Sequence, residues 1–186
     1  MVDKLVRFLV TRAGREYSAG YRTIAAILGA TLFLAGWPAL VWFFGRLSGG
    51  TVLPSGLAGI LSLLCFLWGI PWLVSAVLWQ LWKGKGTPVP TVPTKNFLPT
   101  GPYRFCRNPM MLGFFFYITG WAAVFNQAGA YVTAAVLMAL LFAEIKCVEE
   151  KELAERFGDV YLRYKKETPF FFPAVLRRKA PPSAGA

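Results

Sequence analysis

The chain has 186 residues, room for one domain of ordinary size. It is 56% apolar and 16% aromatic but only 16% charged, with a mean hydropathy of +0.49, which excludes disorder, coiled coil and a secreted disulfide scaffold. Its net charge is +11 and it has no histidine, which removes Ser-His-Asp hydrolysis, histidine acid–base catalysis and most zinc chemistry.

Near the N-terminus Val2, Leu5, Val6 and Leu9 recur at helical spacing, opposite Lys4, Arg7 and Arg12. The pattern predicts an interfacial amphipathic helix, not a signal peptide, because the cations interrupt any apolar core. Four almost uncharged segments follow, at residues 23–44, 54–82, 109–125 and 128–148. Crossing a hydrocarbon core takes about 20 helical residues, so each is read as a span. Pro71 in the second predicts a kink or tilt within one span. The third is short and forms a hairpin with the fourth, turning at Asn126-Gln127.

The basic residues set the orientation. Five precede the first span, five lie between 83 and 108, and nine lie from Lys146 onward, which leaves Arg46 for the other side. Four spans gather the first nineteen on one side, and the positive-inside rule makes that side cytoplasmic. The expected fold is therefore all-α and integral to the membrane. It has about four transmembrane helices, an N-terminal interfacial helix and a cytoplasmic C-terminal amphipathic helix. It is multi-pass in the inner (cytoplasmic) membrane with both termini cytoplasmic, and its charge serves topology and membrane lipids, not nucleic acid. Residues 1–82 hold the interfacial helix and two spans. Residues 83–173 form the catalytic and cofactor region, and 174–186 a flexible tail.

Two stretches on the charged side carry chemistry. Residues 88–109 hold six prolines, too many for a helix or a central strand. Phe97, Leu98, Tyr103 and Phe105 argue for an ordered loop folded over something at the membrane surface. Beyond Glu144, Leu153, Phe157, Val160, Tyr161 and Tyr164 recur at three and four residues. They predict an amphipathic helix continuing from the last span, weakened at Gly158 and stopped at Thr168-Pro169. Glu149-Glu150 reads as a solvated helix start or as a carboxylate pair facing a polar or cationic ligand. Glu152 is expected on the outward face.

Gly101-Pro102-Tyr103 followed by Arg107-Asn108-Pro109-Met110-Met111-Leu112-Gly113 resembles the loop of the isoprenylcysteine carboxyl methyltransferase family. Glu149-Glu150, Leu153, Phe157-Gly158, Tyr161, Tyr164 and Pro173 match that family's C-terminal signature. Gly84-Lys85-Gly86-Thr87-Pro88 is similar to its bacterial members. The resemblance implies an integral-membrane methyltransferase that uses S-adenosylmethionine on a lipophilic or lipidated small acceptor carrying a carboxylate, amine or thiol. It places Lys95, Asn96, Phe97 and Leu98 along the cofactor and Tyr103 against it. Asn108, Pro109, Met110 and Met111 form the wall where the third span begins, and Glu149 accepts hydrogen bonds from the cofactor. Glu150 becomes a supporting or substrate-facing partner, while Arg104 and Arg107 attract an anionic head group or lipid phosphate. Ile145 and Phe170 stand where the family often carries arginine. The resemblance assigns no catalytic base and no metal.

Methyl transfer suits such a composition. The sulfonium carries the activation, and holding a deprotonated nucleophile in line supplies proximity. The sequence has no Rossmann strand–turn–helix for the cofactor. Residues 157–166 also fit membrane reductases similar to the steroid 5α-reductases, which would use NADPH, and a non-enzymatic membrane subunit is a third reading. The methyltransferase reading predicts a cavity at Tyr103, Asn108 and Glu149, polar toward the cytoplasm, lined by Phe and Leu toward lipid, with two openings.

Overall fold

A computed structural model describes residues 2–13, 15–84 and 94–171. Among the described residues every regular element is helical. The chain begins with α1 (Val2–Ala13) and then α2 (Ala19–Thr31), which runs through a π turn (Leu32–Gly36) into α3 (Trp37–Ser48). Next come α4 (Ser55–Lys83), a single 3-10 turn (Gly101–Arg104), and α5 (Pro109–Phe125). The last helix is α6 (Ala128–Glu144), which continues through a second π turn (Ile145–Glu149) into α7 (Glu150–Glu167).

Three continuous helices are long and apolar enough to cross a membrane: Ala19–Ser48, Ser55–Lys83 and Ala128–Glu167. The shorter apolar α5 lies at the lower limit of about 17 residues. Large side chains such as Ile24, Leu28, Leu63, Leu67 and Val132 are exposed, as expected for a surface whose solvent is lipid. The apolar part of the last helix is α6; α7 beyond it carries most of the charge. The multi-pass all-α expectation holds. The first span extends past both expected ends, and α4 passes through Pro71 as one helix.

Proline explains one detail of the packing. Pro38 has no N–H, so it cannot send the Leu34 carbonyl its usual helical donor. The Tyr117 hydroxyl of α5 donates to that carbonyl instead, at 2.8 Å. Such satisfaction by a neighbouring helix is what makes proline tolerable in an apolar span.

Helices α4 and α5 cross through paired glycines. A Cβ on Gly69 would lie 2.8 Å from the Gly113 carbonyl oxygen, and one on Gly113 would run into the Leu73 backbone. At the end away from the charges, Asn126 adopts a left-handed conformation (φ 51°) that ends α5. Its carboxamide accepts from the Leu53 N–H at 3.0 Å and donates to the Leu53 carbonyl at 2.7 Å. This ties the α3–α4 connection to the α5–α6 turn.

At the opposite end, α1 packs on α7 and on the second π turn, with Val6 completely buried. One position of its predicted apolar face thus meets protein, while Leu5 remains exposed. The tail at 174–186 and the stretch Lys85–Pro88 lie outside the described residues.

The crossing gives a direct test. Gly113→Ala forces the α4 backbone away and should cost about 1–3 kcal/mol, read as a lower unfolding midpoint in detergent. Gly59→Ala, where nothing lies within 4 Å, should leave the midpoint unchanged or slightly raised.

Candidate active site

The site is built where four chain segments converge at the charged end. The first is the C-terminal turn of α4. Carbonyls there lack helical donors, and the chain re-entering at Lys95 supplies some: the Lys95 and Asn96 N–H groups donate to the Gly84 carbonyl at 2.9 and 3.3 Å. The Asn96 carboxamide donates to the Lys83 carbonyl at 3.0 Å. Both residues are exposed as side chains, and Lys95 reaches Glu16 at 3.4 Å.

The loop then lays its aromatic residues on α7. The Phe97 ring lies 5.3 Å from Phe157, 6.1 Å from Tyr161 and 5.2 Å from Tyr164 between centroids, an edge-rich cluster of the kind that adds to simple burial. Leu98 is half-buried against Gly84. The Tyr164 hydroxyl donates to the Tyr103 carbonyl at 2.7 Å. Farther on, the Arg107 and Asn108 N–H groups donate to the carbonyls of Pro169 and Phe170 at 2.9 and 3.3 Å. The chain leaving α7 is therefore stitched to the chain entering α5.

The carboxylates of the π turn and α7 divide sharply. Glu150, 6% exposed as a side chain, is paired with Arg107, with Lys146 at 3.5 Å and with Lys165 at 2.8 Å. The Arg107 guanidinium and the Lys146 ammonium also lie over the Phe170 ring, at 5.4 and 3.9 Å from its centroid. Glu152 is buried and pairs with Arg156 at 2.6 Å, and Arg156 also donates to the Thr94 carbonyl. The outward placement expected for Glu152 is therefore wrong. The loop at Thr94 crosses that face of α7, and Arg156 supplies the countercharge.

Glu149 is different. Its carboxyl is pushed up to about 8, first by burial and then by the charges of Glu144, Glu152 and Glu150, and no cation among the described residues pulls it back. Tyr103 lies within range of that charge. Burial first, then Glu149 and Tyr164, hold its phenol well above the ordinary value. At the same end, buried polar atoms lack a well-formed hydrogen bond among the described residues: Trp79 Nε1, Gln80 Oε1, the Tyr103 hydroxyl (which the Gln80 carboxamide approaches), Arg107 Nε and Asn108 Nδ2. Asn108 stands at the start of α5 without capping it. Buried polar groups are nearly always paired, so these atoms, together with the Glu149 carboxyl, make this end the candidate site.

Next to this polar region lies an apolar cavity of about 220 Å³ between α2, α4 and α5. Its lining includes Phe33, Leu73, Val77, Met110, Met111 and Phe114. Met110 and Met111 thus face the apolar side, while buried Pro109 opens the helix behind Asn108. Arg104 is exposed, stacked over Phe105 at 4.9 Å, and stays apart from the carboxylates. Val160, expected on the inner stripe of α7, is 52% exposed. The backbone leaves helical geometry at Gly158 (φ 53°), and the stripe resumes at Tyr161 and Tyr164. The sequence reading also left out Gln80, although it is the lone carboxamide in the 29 residues of α4.

The sorting of carboxylates predicts opposite stability effects. Glu150→Ala strands Arg107 and two lysines. Breaking a buried pair costs about 3–5 kcal/mol, and the partly exposed lysines put this case near the lower figure. The unfolding midpoint should fall with or without ligand. Glu149→Ala, which removes an unpaired carboxyl, should leave the midpoint unchanged or higher.

A family model described as phospholipid methyltransferase matches residues 57–160. Methanethiol S-methyltransferase 1 of Bradyrhizobium diazoefficiens is 38% identical over 71 residues, which are 38% of this chain and 24% of that protein. The cobalt-zinc-cadmium resistance protein CzcN of Cupriavidus metallidurans is 30% identical over 80 residues, 43% of this chain and 37% of its own. Protein-S-isoprenylcysteine O-methyltransferase of Mus musculus is 29% identical over 82 residues, 44% of this chain and 29% of its own. The matched segments span less than two fifths of these relatives.

Proposed function

The chain belongs to the phospholipid methyltransferase family, and we propose that it is a membrane-embedded methyltransferase that uses S-adenosylmethionine on a lipophilic acceptor. The observation that carries this reading is Glu149, a partly buried carboxyl that meets no cation among the described residues, while its neighbours Glu150 and Glu152 have them. The cofactor brings an ammonium and a sulfonium to such a place. Its amino, hydroxyl and carboxylate groups match the unpaired atoms of Tyr103 and Asn108, and the free N–H groups at the α5 N-terminus favour an anion. When bound, S-adenosylmethionine supplies a methyl group already activated by its sulfonium.

The residues of this chain have the remaining tasks. Glu149 holds the cationic portion, with Phe97, Leu98 and Tyr103 covering it, and Lys95 and Asn96 fasten that cover to α4. Asn108 and Pro109 fix the α5 end of the site, and Met110 and Met111 divide it from the apolar cavity. Arg107 and Glu150 act as a clamp between loop and helix, since each already satisfies the other. Arg104 meets anionic head groups at the surface. The charged end faces the cytoplasm, where the water-soluble cofactor enters.

The acceptor arrives through the bilayer and seats its tail in the apolar cavity, bringing its nucleophile to the boundary at Met110 and Met111. A carboxylate acceptor needs a free cation there, but among the described residues Arg107, Lys146 and Lys165 all turn to Glu150. Ile145 adds no charge. A thiol or amine therefore fits better than an acid.

Two measurements test this function. A cation pairs with Glu149 only once its proton has left, and the carboxyl is mostly protonated below its raised value near 8. Affinity for S-adenosylmethionine should therefore rise from pH 6 to about 8 and then level off. Glu149→Gln should weaken binding about ten- to a hundredfold and flatten that slope; a wild-type profile without slope refutes the role. Val77→Trp, which fills the cavity, should lower methyl transfer to 1-dodecanethiol at least tenfold while S-adenosylhomocysteine affinity stays within about twofold.

A further inference from the structure

The proposed cofactor site leaves one unexplained polar residue on α4. Gln80 lies about two turns beyond Leu73 on nearly the same face of the helix, and Leu73 and Val77 line the apolar cavity. Its carboxamide lies within hydrogen-bonding reach of the Tyr103 hydroxyl and acts on that phenol, yet Gln80 Oε1 and the hydroxyl oxygen are buried without a well-formed hydrogen bond among the described residues. Of the unpartnered buried polar atoms among the described residues, Trp37 Nε1 and Trp121 Nε1 lie on α3 and α5 within the apolar helices, while the other five gather at the charged end. The amide oxygen and the phenol approach each other without closing a full bond, so a ligand group that donates to Gln80 Oε1 and pairs with the Tyr103 hydroxyl completes both. Each unfinished bond costs stability in the ligand-free protein, so the pair persists at a standing expense.

We infer that Gln80 is a ligand-contacting residue: with Tyr103 it binds an N–H or O–H group of the cofactor on the side of the site opposite Glu149. This rests on the function proposed above. The polar cofactor is the better occupant because Tyr103 senses the Glu149 charge, so Gln80, Tyr103 and Glu149 border one polar space. The acceptor side, one turn away at Val77, is apolar. The chemistry recognised is that of a sugar hydroxyl or a ring amino group.

The test uses the full-length protein in detergent, titrated calorimetrically with S-adenosylhomocysteine and unfolded thermally with and without it. Gln80→Leu should weaken binding about tenfold or more, the loss of about 1.4 kcal/mol. The ligand-free midpoint should stay equal or rise, because a buried amide oxygen without a well-formed bond has been removed. A merely structural glutamine would give the reverse pattern, with a lower midpoint and unchanged affinity, and that result overturns the inference. If leucine disturbs folding, Gln80→Met keeps the side-chain length and decides the point on affinity alone. Unchanged affinity accompanied by a raised KM for 1-dodecanethiol would place Gln80 on the acceptor and also overturn the assignment. Failure of the wild-type protein to bind S-adenosylhomocysteine would instead defeat the function on which the inference depends.

Discussion

Glu150 organises the charged end of the molecule. Its carboxylate draws in Arg107 from the loop before α5, Lys146 from the π turn and Lys165 from the far end of α7. Three parts of the chain that are distant in sequence are thereby held at one point. The pairing has a second effect, because cations used by Glu150 are unavailable to Glu149 next to it. A net excess of positive charge on this side thus coexists with a partly buried carboxyl that meets no cation among the described residues. Phe170 supports the arrangement by placing its ring beneath both Arg107 and Lys146, where an arginine would repel the cations that Glu150 gathers.

Much of the architecture was legible because membrane burial writes a coarse signal. Long uncharged runs, the clustering of cations and the proline-rich loop each have one simple physical meaning, and the spans lie where hydropathy places them. The details that failed depend on register. A π turn adds one residue to the helical repeat without any residue type to announce it. Residues beyond the turn at Ile145–Glu149 are therefore rotated relative to a uniform helix, and Glu152 meets Arg156 and the loop, not solvent. Gly158 was visible as a weak point, but the direction of the break was not, and Val160 was placed on the wrong side.

The site was readable as a set of residues more than as a division of labour. The loop and α7 signatures identify segments that do meet, with Phe97 among the tyrosines of α7. They do not tell that Arg107 and Glu150 neutralise each other, since that pairing spans 43 positions. Gln80 carried a signal of its own, a carboxamide in an otherwise apolar helix, and such residues in spans usually have a reason to be there. Its significance lies in its approach to the Tyr103 hydroxyl and in an amide oxygen left without a full bond, which are properties of three dimensions alone.

The first π turn has a consequence for selectivity. Below it, α3 buries Pro38, Val41 and Gly45, with Val41 in the main core; above it, α2 buries none of its residues, although Gly29 and Ala30 form one wall of the apolar cavity. The α2 wall is thus held by few buried contacts, whereas the polar side is fixed by ion pairs and stitched backbone. Within the proposed reaction, this asymmetry makes the enzyme strict toward its methyl donor and permissive toward the shape of its acceptor. Divergence of acceptors within such a scaffold would then require changes in one loosely held helix and none in the donor-binding framework.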